Sequence, residues 1–348
     1  MFAFIYFSNT TSSNYDPITT WVPHETPEDA GWSSEKLQDA WEYYNSINST
    51  AAMAIKDGKV LFAWGDISAN TNGHSIRKSF LSALYGIYED TGEIDLQSSL
   101  HELNIDDQRS LSDAEKAATI HDLLISSSGV YHTAGQETLS MRRKRPFRES
   151  NEPGSYFYYN NWDFNALGTI LNEQTNSDLF VEFKEKIADP IGMEDFSLEN
   201  TEYRRELGRS IHPSYLFRIS ARDMARFGQL YLQNGMWGDE QIIPKDWVKQ
   251  STQAYAHVPY NDVFDYGFMW WVATSGPFQD LGMYSAVGRY GQSIDIIPEL
   301  NLVFVHRVDS NRRTFQFIPR SVSQPDRLRL LQLVIDAKMA PEVNPRNL

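Results

Sequence analysis

Ser75 and Lys78 form a Ser-x-x-Lys pattern, a pair of residues suited to nucleophilic catalysis. In a helix, positions i and i+3 lie on one face, so the Lys78 amine would reach the Ser75 hydroxyl and accept its proton. A helix N-terminus at Ser75 would favour developing negative charge, and its backbone N–H would be free to donate to an oxyanion. The spacing therefore indicates acyl transfer through a covalent serine intermediate. Capping of a helix is the alternative role of Ser75.

The same pattern occurs a second time, from Ser33 to Lys36. At that position we predict only a helix cap followed by solvated charges. Ser75 differs in context, because it follows a predicted hairpin and begins a strongly apolar helical pattern that ends at Gly92. Ser75 is therefore the better candidate for the nucleophile.

A second candidate pair, Tyr159 and Asn161, has Tyr-x-Asn spacing. Beside a lysine, a phenol can act as a general acid or base, and an amide can orient both the lysine and a substrate carbonyl. The register is ambiguous, since Tyr158 with Asn160 has the same spacing. We expect one of these pairs to complete a proton relay with Lys78.

The elements that would position these residues are strands near both ends of the chain and helices between them. Hairpins are predicted at 53–64 and 293–307, and a strand at 267–272. Apolar residues at helical spacing indicate helices that begin at Ser33 and Ser75 and further helices at 119–126, 163–175, 221–233 and 326–339. This order predicts an α/β (α+β) fold with an antiparallel sheet flanked by helices and an inserted, mostly helical domain.

Three parts of the chain are expected to have different roles. Residues 1–20 are rich in Ser, Thr and Asn after an apolar start and are expected to form a flexible arm. Residues 21–74 and 245–340 are expected to form a discontinuous sheet domain. Residues 75–244 would form the helical domain that carries the nucleophile.

Several segments, taken jointly, resemble one family. The stretch Pro153–Asn161 is similar to a Pro-Gly-x-x-Phe-x-Tyr-Ser-Asn signature and favours Tyr159 with Asn161. Other matching segments follow in the same order: Lys78–Phe80, Thr119–Leu124, Ser127–Gly129, Ser220–Gly228, Ile243–Val248 and Tyr266–Trp271. The chain thus resembles the serine β-lactamase-like, penicillin-binding family of the class C β-lactamase type, which includes esterases, D-aminopeptidases and 6-aminohexanoate-dimer hydrolases. The resemblance covers most of the chain and implies the β-lactamase/transpeptidase-like fold.

A third motif departs from the family pattern. Where the family has Lys-Thr-Gly or His-x-Gly, this chain has Gly288–Gln292 with Arg289 at its second position. The resemblance implies that the N–H of Gln292 is a second oxyanion donor. An arginine does not exchange its proton near neutrality, so Arg289 is expected to bind a substrate carboxylate or to orient Tyr159. A salt-bridged strand residue is the alternative.

The resemblance also assigns residues to the substrate cleft. The predicted substrate-binding residues are Trp271, Arg289, Tyr290, Gly291 and Gln292. An apolar lining is expected from Tyr131, Tyr158, Trp270, Trp271 and Tyr290. The basic run at 142–148 would lie near the mouth of the site as a solvated loop and attract anionic substrates.

Composition and missing motifs exclude several classes of function. A net charge of −15 argues against nucleic acid as a partner. The chain has no cysteine, its eight histidines lack metal-binding spacing, and no phosphate-binding glycine-rich loop is present. We therefore predict neither a metal nor another cofactor. No apolar run is long enough for stable membrane insertion, and a soluble protein, cytoplasmic or else periplasmic or secreted, is expected.

Together these features predict a serine hydrolase that acts through an acyl-enzyme on a small ester or amide. A carboxylesterase or amidase is favoured, with cleavage of aminohexanoate oligomers or D-amino-acid amides as close variants. A penicillin-binding protein or β-lactamase ranks lower, because Arg289 departs from the family motif. A non-catalytic binding member of the fold is the competing class. The sequence leaves the oligomeric state open.

Overall fold

The computed structural model describes residues 21–315 and 318–340. The arm predicted at residues 1–20 lies outside the described residues. Within this described part, no helix is long and apolar enough to cross a membrane.

The described chain contains short strands and helices of very different lengths. The strands are β1 (Ala51–Lys56), β2 (Lys59–Gly65), β3 (Thr71–Asn72), β4 (Thr201–Arg204), β5 (Ser214–Ile219), β6 (Met236–Trp237), β7 (Glu240–Gln241), β8 (Phe264–Tyr266), β9 (Trp271–Ala273), β10 (Tyr284–Gly288), β11 (Gln292–Ile297), β12 (Leu302–Arg307), β13 (Arg313–Phe315) and β14 (Ile318–Pro319). The helices are α1 (Ser34–Ser46), α2 (Ile76–Asp90), α3 (Asp113–Lys116), α4 (Ile120–Leu124), α5 (Leu139–Lys144), α6 (Asn161–Thr175), α7 (Leu179–Phe183), α8 (Ala221–Leu232), α9 (Lys245–Ser251), α10 (Gly276–Asp280) and α11 (Gln324–Asp336).

The main sheet joins strands from both ends of the chain. Its order is β2-β1-β12-β11-β10-β9-β8, and every neighbouring pair is antiparallel. In the pair of β1 with β12, which joins the two ends of the chain, Ala51 lies opposite Arg307 and Lys56 lies opposite Leu302. This confirms the predicted antiparallel sheet flanked by helices.

Alternating side chains divide the core into two layers, one on each face of this sheet. Met53 and Ile55 of β1 point into the core that contains α2, whereas Ala52 and Ala54 point into the core that contains α1 and α11. A period of two along a strand produces this division. The sheet is therefore covered on both faces, and α2 is held against it by apolar packing.

Helix α2 is almost completely buried, which fixes its position. The Phe80 ring lies against the rings of Phe183, Phe217 and Phe227, with centroids 4.8, 5.4 and 4.7 Å away. Burial of a phenylalanine side chain contributes roughly 1.5–3 kcal/mol. The N-terminus of α2, where Ser75 lies, is consequently held in place by the packing of α2 against β5, α7 and α8.

Two regions differ from the elements that the sequence predicts. The strand predicted at 267–272 is wrong over 267–270, where the chain makes a buried turn between β8 and β9. In this turn the Gly267 N–H donates to the Trp270 carbonyl, and Met269 has a left-handed φ of 61°. A buried apolar turn has the same composition as a buried strand, so periodicity does not separate them. A second, three-stranded sheet, β3-β5-β4, is also present, and it joins β3, just before Ser75, to two strands of residues 75–244. The boundaries of the two domains stay a prediction.

Candidate active site

Ser75 lies at the N-terminus of α2 with its hydroxyl free of the helix backbone. Its backbone is in the right-handed helical region, with φ −77° and ψ −5°, and its side chain makes no capping hydrogen bond. Lys78 lies one turn along the helix, and its Nζ is 3.1 Å from the Ser75 Oγ. The Ser75 hydroxyl is therefore oriented toward an amine instead of toward the helix backbone.

Lys78 is the centre of a buried polar cluster. Its Nζ also lies 2.7 Å from the Tyr159 hydroxyl and 3.0 Å from the Asn161 Oδ1. Only 2% of Lys78 is exposed. Burial, followed by repulsion from the Arg77 guanidinium, holds the pKa of the Lys78 amine well below its ordinary value. A lysine in this state can act as a base.

Tyr159, and not Tyr158, provides the phenol next to Lys78. The Tyr158 hydroxyl donates instead to the Met141 carbonyl, 3.0 Å away. The Tyr159 ring stacks on Trp271 with a centroid distance of 5.7 Å. Burial raises the pKa of Tyr159 to about 12, against the lowering effect of the Ser75 hydroxyl. Tyr159 therefore carries its proton at neutral pH and can donate it.

Asn161 is held by backbone carbonyls on the far side of the cluster. Its Nδ2 donates to the Gln136 carbonyl at 3.0 Å and to the Gly135 carbonyl at 3.3 Å. These two bonds fix which end of the amide faces Lys78, because only its oxygen is left to accept from the amine. Asn160 has a separate role as the N-cap of α6, where its side chain accepts from the Trp162 N–H.

The third motif lies close to Ser75, because the backbones of Gly288 and Gly73 approach each other. A Cβ on Gly288, at the end of β10, would come within 2.5 Å of the Gly73 carbonyl oxygen, so only glycine fits there. The His74 and Tyr290 rings meet edge to face at 5.1 Å. Both residues have left-handed backbones, with φ 50° and 70°. Strain of this kind is maintained only where the surrounding structure enforces it.

Gly291 and Gln292 are held by hydrogen bonds to β12 and to the residue that follows it. Gly291 has a φ of 101°, and its carbonyl accepts a 2.6 Å hydrogen bond from Nδ1 of His306. The Gln292 side chain donates to the Val308 carbonyl at 2.7 Å and accepts from the Val308 N–H at 3.2 Å. The side-chain amide of Gln292 is therefore occupied by the Val308 backbone.

Three residues around the site were not found by sequence reasoning. His74 contacts Tyr290 and bonds Ser310, and His306 supports Gly291. Burial lowers the pKa of each imidazole to about 4, so both are neutral near pH 7. Tyr266 packs edge to face on Tyr159 at 5.9 Å. No spacing signals these contacts, because each one joins distant parts of the chain.

Arg289 is exposed, and its guanidinium lies 4.5 Å from the centroid of the Tyr290 ring. It belongs to a turn and not to a strand. In the described part of the chain it forms no ion pair and no hydrogen bond to Tyr159. Its expected roles, binding a substrate carboxylate or orienting Tyr159, stay predictions. Its charge is available to a ligand.

Two other expectations about the cleft are corrected. Trp270 is completely buried and stacks on Phe227 in the core, so it does not line the cleft. The basic run is not simply a solvated loop, because its cations pair with two buried carboxylates. Arg145 and Arg142 lie 2.5 and 4.0 Å from Glu137, and Arg148 lies 2.6 Å from Glu115. These pairs anchor the segment beside Gln136.

The described residues contain no cluster of three or more His, Asp or Glu side chains that would hold a metal ion.

Comparisons with solved structures show related folds at low sequence identity. A Bacillus anthracis protein with the provisional name 6-aminohexanoate-dimer hydrolase is 20% identical, with a TM-score of 0.65 over 91% of this chain and 87% of that one. A family VIII carboxylesterase is 12% identical, with a TM-score of 0.63 over 91% and 99% of the two chains. The penicillin binding protein from Bacillus halodurans is 15% identical, with a TM-score of 0.60 over 84% and 99%.

Comparisons of sequence give one short match and one long match. An uncharacterized protein of Alkalihalophilus pseudofirmus is 27% identical over 100 residues, which are 26% of this chain and 30% of that relative. The match therefore spans less than a third of the relative's length. The Beta-lactamase family model matches residues 36–317, which include both Ser75 and the third motif. The chain belongs to the Beta-lactamase family.

Proposed function

We propose that this protein is a serine hydrolase that cleaves small esters or amides through an acyl-enzyme on Ser75. The observation that supports it is the position of the buried Lys78 Nζ, within hydrogen-bond distance of Ser75, Tyr159 and Asn161 at once. An amine with a depressed pKa between a hydroxyl and a phenol is a proton relay. A buried lysine used only for structure would instead be expected to have a carboxylate partner.

Acylation transfers one proton along this relay. The Ser75 Oγ attacks the substrate carbonyl carbon while its proton passes to Lys78. Tyr159 then gives its own proton to the leaving alcohol or amine and is reprotonated by Lys78, and the bond from carbonyl carbon to leaving group breaks. Water then attacks the acyl carbon and gives a proton to the relay, the bond from the acyl carbon to the Ser75 Oγ breaks, and the relay returns that proton to the Ser75 oxygen. The products are an acid and an alcohol or amine.

The negative oxygen formed during attack is assigned to two backbone donors. One is the N–H of Ser75 at the start of α2, where the helix dipole adds a favourable field. The other, which the family resemblance implies, is the backbone N–H of Gln292, whose side chain bonds to Val308. The contact between Gly288 and Gly73 supports this assignment by joining the two motifs. This chemistry needs no cofactor.

The favoured substrates are small esters and amides, including those with a free carboxylate. Among similar structures, one is a carboxylesterase and another has the name of an aminohexanoate-dimer hydrolase. Arg289 lies exposed beside Tyr290 and has no ion pair with any described residue, so it is suited to a carboxylate on the substrate. Trp271 contributes an apolar wall through its stacking on Tyr159.

A side-by-side assay tests this function. Short-chain p-nitrophenyl esters, 6-aminohexanoate dimer and nitrocefin are offered to the protein, and a fluorophosphonate label is located by peptide mass. We expect the label on Ser75 and a higher kcat/KM for the esters than for nitrocefin. A nitrocefin value at or above the ester value would favour a β-lactamase. Absence of both labelling and turnover would favour a non-catalytic binding protein.

A further inference from the structure

Arg77 is a buried cation directly next to Lys78 in the sequence. Only 4% of its surface is exposed. Its guanidinium lies 4.2 Å from the centroid of the Tyr215 ring, and its Nη2 is 3.5 Å from the Asn165 Oδ1. Its Nη1 has no hydrogen-bond partner among residues 21–315 and 318–340. The side chain is thus fixed by an aromatic face and one amide, and it has a donor to spare.

In the described part of the chain, Arg77 has no carboxylate partner. Buried Arg327 does pair with an acid, since its Nη1 contacts both Asp295 oxygens at 2.6 Å. An uncompensated buried charge is costly, and two such charges side by side are more so. A guanidinium keeps its proton in proteins, whereas a buried amine readily loses one. Of the two neighbouring cations, Lys78 is therefore the one that becomes neutral.

We propose that Arg77 is a positioning residue of the proton relay, a fixed charge that keeps Lys78 in the neutral form able to accept the Ser75 proton. This inference rests on the proposed function of the same site. It assigns a reason for a buried arginine that contacts none of the reacting groups. It also explains why an aromatic ring lies against the guanidinium. A carboxylate would neutralise the charge of Arg77, whereas the Tyr215 ring stabilises the cation and leaves its charge in place.

The groups around Lys78 agree with this assignment. Apart from Lys78, the buried titratable and charged residues on α2, α6, β5 and β8 are Arg77, Tyr85, Tyr88, Asp163, Tyr215 and Tyr266, and His74 and Tyr159 lie within two residues of the starts of α2 and α6. Asp163 is the single carboxyl in this set. It is bound by Ser128 and Asn160, and burial raises its pKa well above the ordinary range. Arg77 is then the dominant nearby charge acting on Lys78.

The sign of the effect follows from the charge. Removal of Arg77 relieves repulsion on the protonated Lys78, so the pKa of the amine rises. Lys78 is active as a base only when neutral, so the acidic limb of the pH profile must move to higher pH. A purely structural loss would lower the rate at all pH values and leave the midpoint in place.

The test measures the rate of Ser75 labelling by a fluorophosphonate as a function of pH. The variants are Arg77→Gln and Arg77→Met, which remove the charge, and Arg77→Lys, which keeps one. Arg218→Met is the matched control, because it removes an exposed cation from β5, the strand that carries Tyr215. A thermal melt shows which variants are folded, and either neutral variant alone is sufficient for the comparison.

We expect the midpoint of the acidic limb to rise by about one pH unit or more in the neutral variants. At a pH below both midpoints this is a loss of about tenfold or more in labelling rate. Arg77→Lys should shift less, and Arg218→Met should not shift. An unchanged midpoint in a folded neutral variant would overturn the role of Arg77. Failure of the wild-type protein to label at Ser75 would instead overturn the proposed function.

Discussion

Two regions of the molecule contain the same Ser-x-x-Lys pattern and use it in opposite ways. At the start of α1, Ser33 has an extended backbone, with φ −82° and ψ 121°, and its side chain accepts from the Lys36 N–H. The Lys36 amine is exposed and donates to the Asp336 carbonyl at 3.3 Å. The serine hydroxyl is occupied by capping, and the lysine belongs to the surface.

At the start of α2 the same residues are arranged differently. Ser75 enters the helix with a helical backbone and leaves its hydroxyl uncapped, and Lys78 is buried against it. The cause lies one residue earlier, where His74 is left-handed and its N–H donates to Asn72 Oδ1. The backbone conformation on entry to the helix therefore decides whether the serine caps the helix or faces its lysine.

The largest expected contrast is between the two serines. Ser75→Ala should lower kcat/KM for a p-nitrophenyl ester by about four orders of magnitude or more, because the acyl-accepting oxygen is removed. Ser33→Ala should leave kcat/KM unchanged and lower the free energy of unfolding by about 0.5–2 kcal/mol, the usual cost of a lost cap. Ester assays and urea unfolding measure these effects. Wild-type turnover by Ser75→Ala would remove the basis of the proposed mechanism.

The second largest difference in activity is expected between variants of Lys78 and Lys36. Lys78→Met should reduce kcat/KM by about two to four orders of magnitude, the usual contribution of a general base. In the wild-type protein activity should fall as pH drops through the lowered pKa of Lys78, because the protonated amine accepts no proton. Lys36→Met should retain both the rate and the pH profile. If the pH profile of Lys78→Met still falls at acidic pH as the wild-type profile does, the fall is caused by the titration of another group.

Neighbouring tyrosines give a third contrast of the same type. Tyr159→Phe should cost about 100-fold or more in kcat/KM, because the proton donor to the leaving group is lost. Tyr158→Phe removes only a bond to the Met141 carbonyl and should cost far less. Esters with poor leaving groups should show the larger loss in Tyr159→Phe. Equal losses in both variants would indicate a shared structural role.

Much of this arrangement is predictable from the sequence. The apolar spacing after Ser75 predicts α2, which the structure begins at Ile76, and the hairpin that joins β11 to β12 is predicted within one residue. Local patterns suffice for such elements, because the residues that determine them are neighbours. The predicted pairing of strands from both ends of the chain follows from the order of the elements.

Other features depend on contacts that no local pattern records. The Tyr290 ring contacts His74, and Gly291 is supported by His306, so the shape of the third motif is set by residues far away in the chain. The basic run illustrates the same limit. Its arginines look solvated by composition, but they pair with two buried acids, Glu137 just before the run and Glu115 far earlier in the chain. A run of like charges in the sequence does not show which acids its members pair with in the folded chain.

The smallest expected difference in activity is between variants of two arginines that each lie over a tyrosine ring, one beside the candidate site and one away from it. Arg289 lies over Tyr290 beside the site, and Arg329 lies over Tyr43 where α11 packs on α1, with distances of 4.5 and 4.9 Å to the ring centroids. A charge-assisted hydrogen bond contributes about 1.5–3 kcal/mol where water is excluded. Arg289→Ala should therefore lower kcat/KM by roughly one to two orders of magnitude for substrates with a free carboxylate.

The control variants decide what such a loss means. Neutral esters should lose much less in Arg289→Ala, and Arg329→Ala should change neither class of substrate. Arg289→Lys should restore only part of the loss, because an ammonium is a point charge and lacks the planar fork that matches a carboxylate. The measurement is the ratio of kcat/KM for matched anionic and neutral substrates. Equal losses for both would show that Arg289 supports the Tyr290 turn, since a structural defect does not depend on substrate charge, and carboxylate binding would then be excluded.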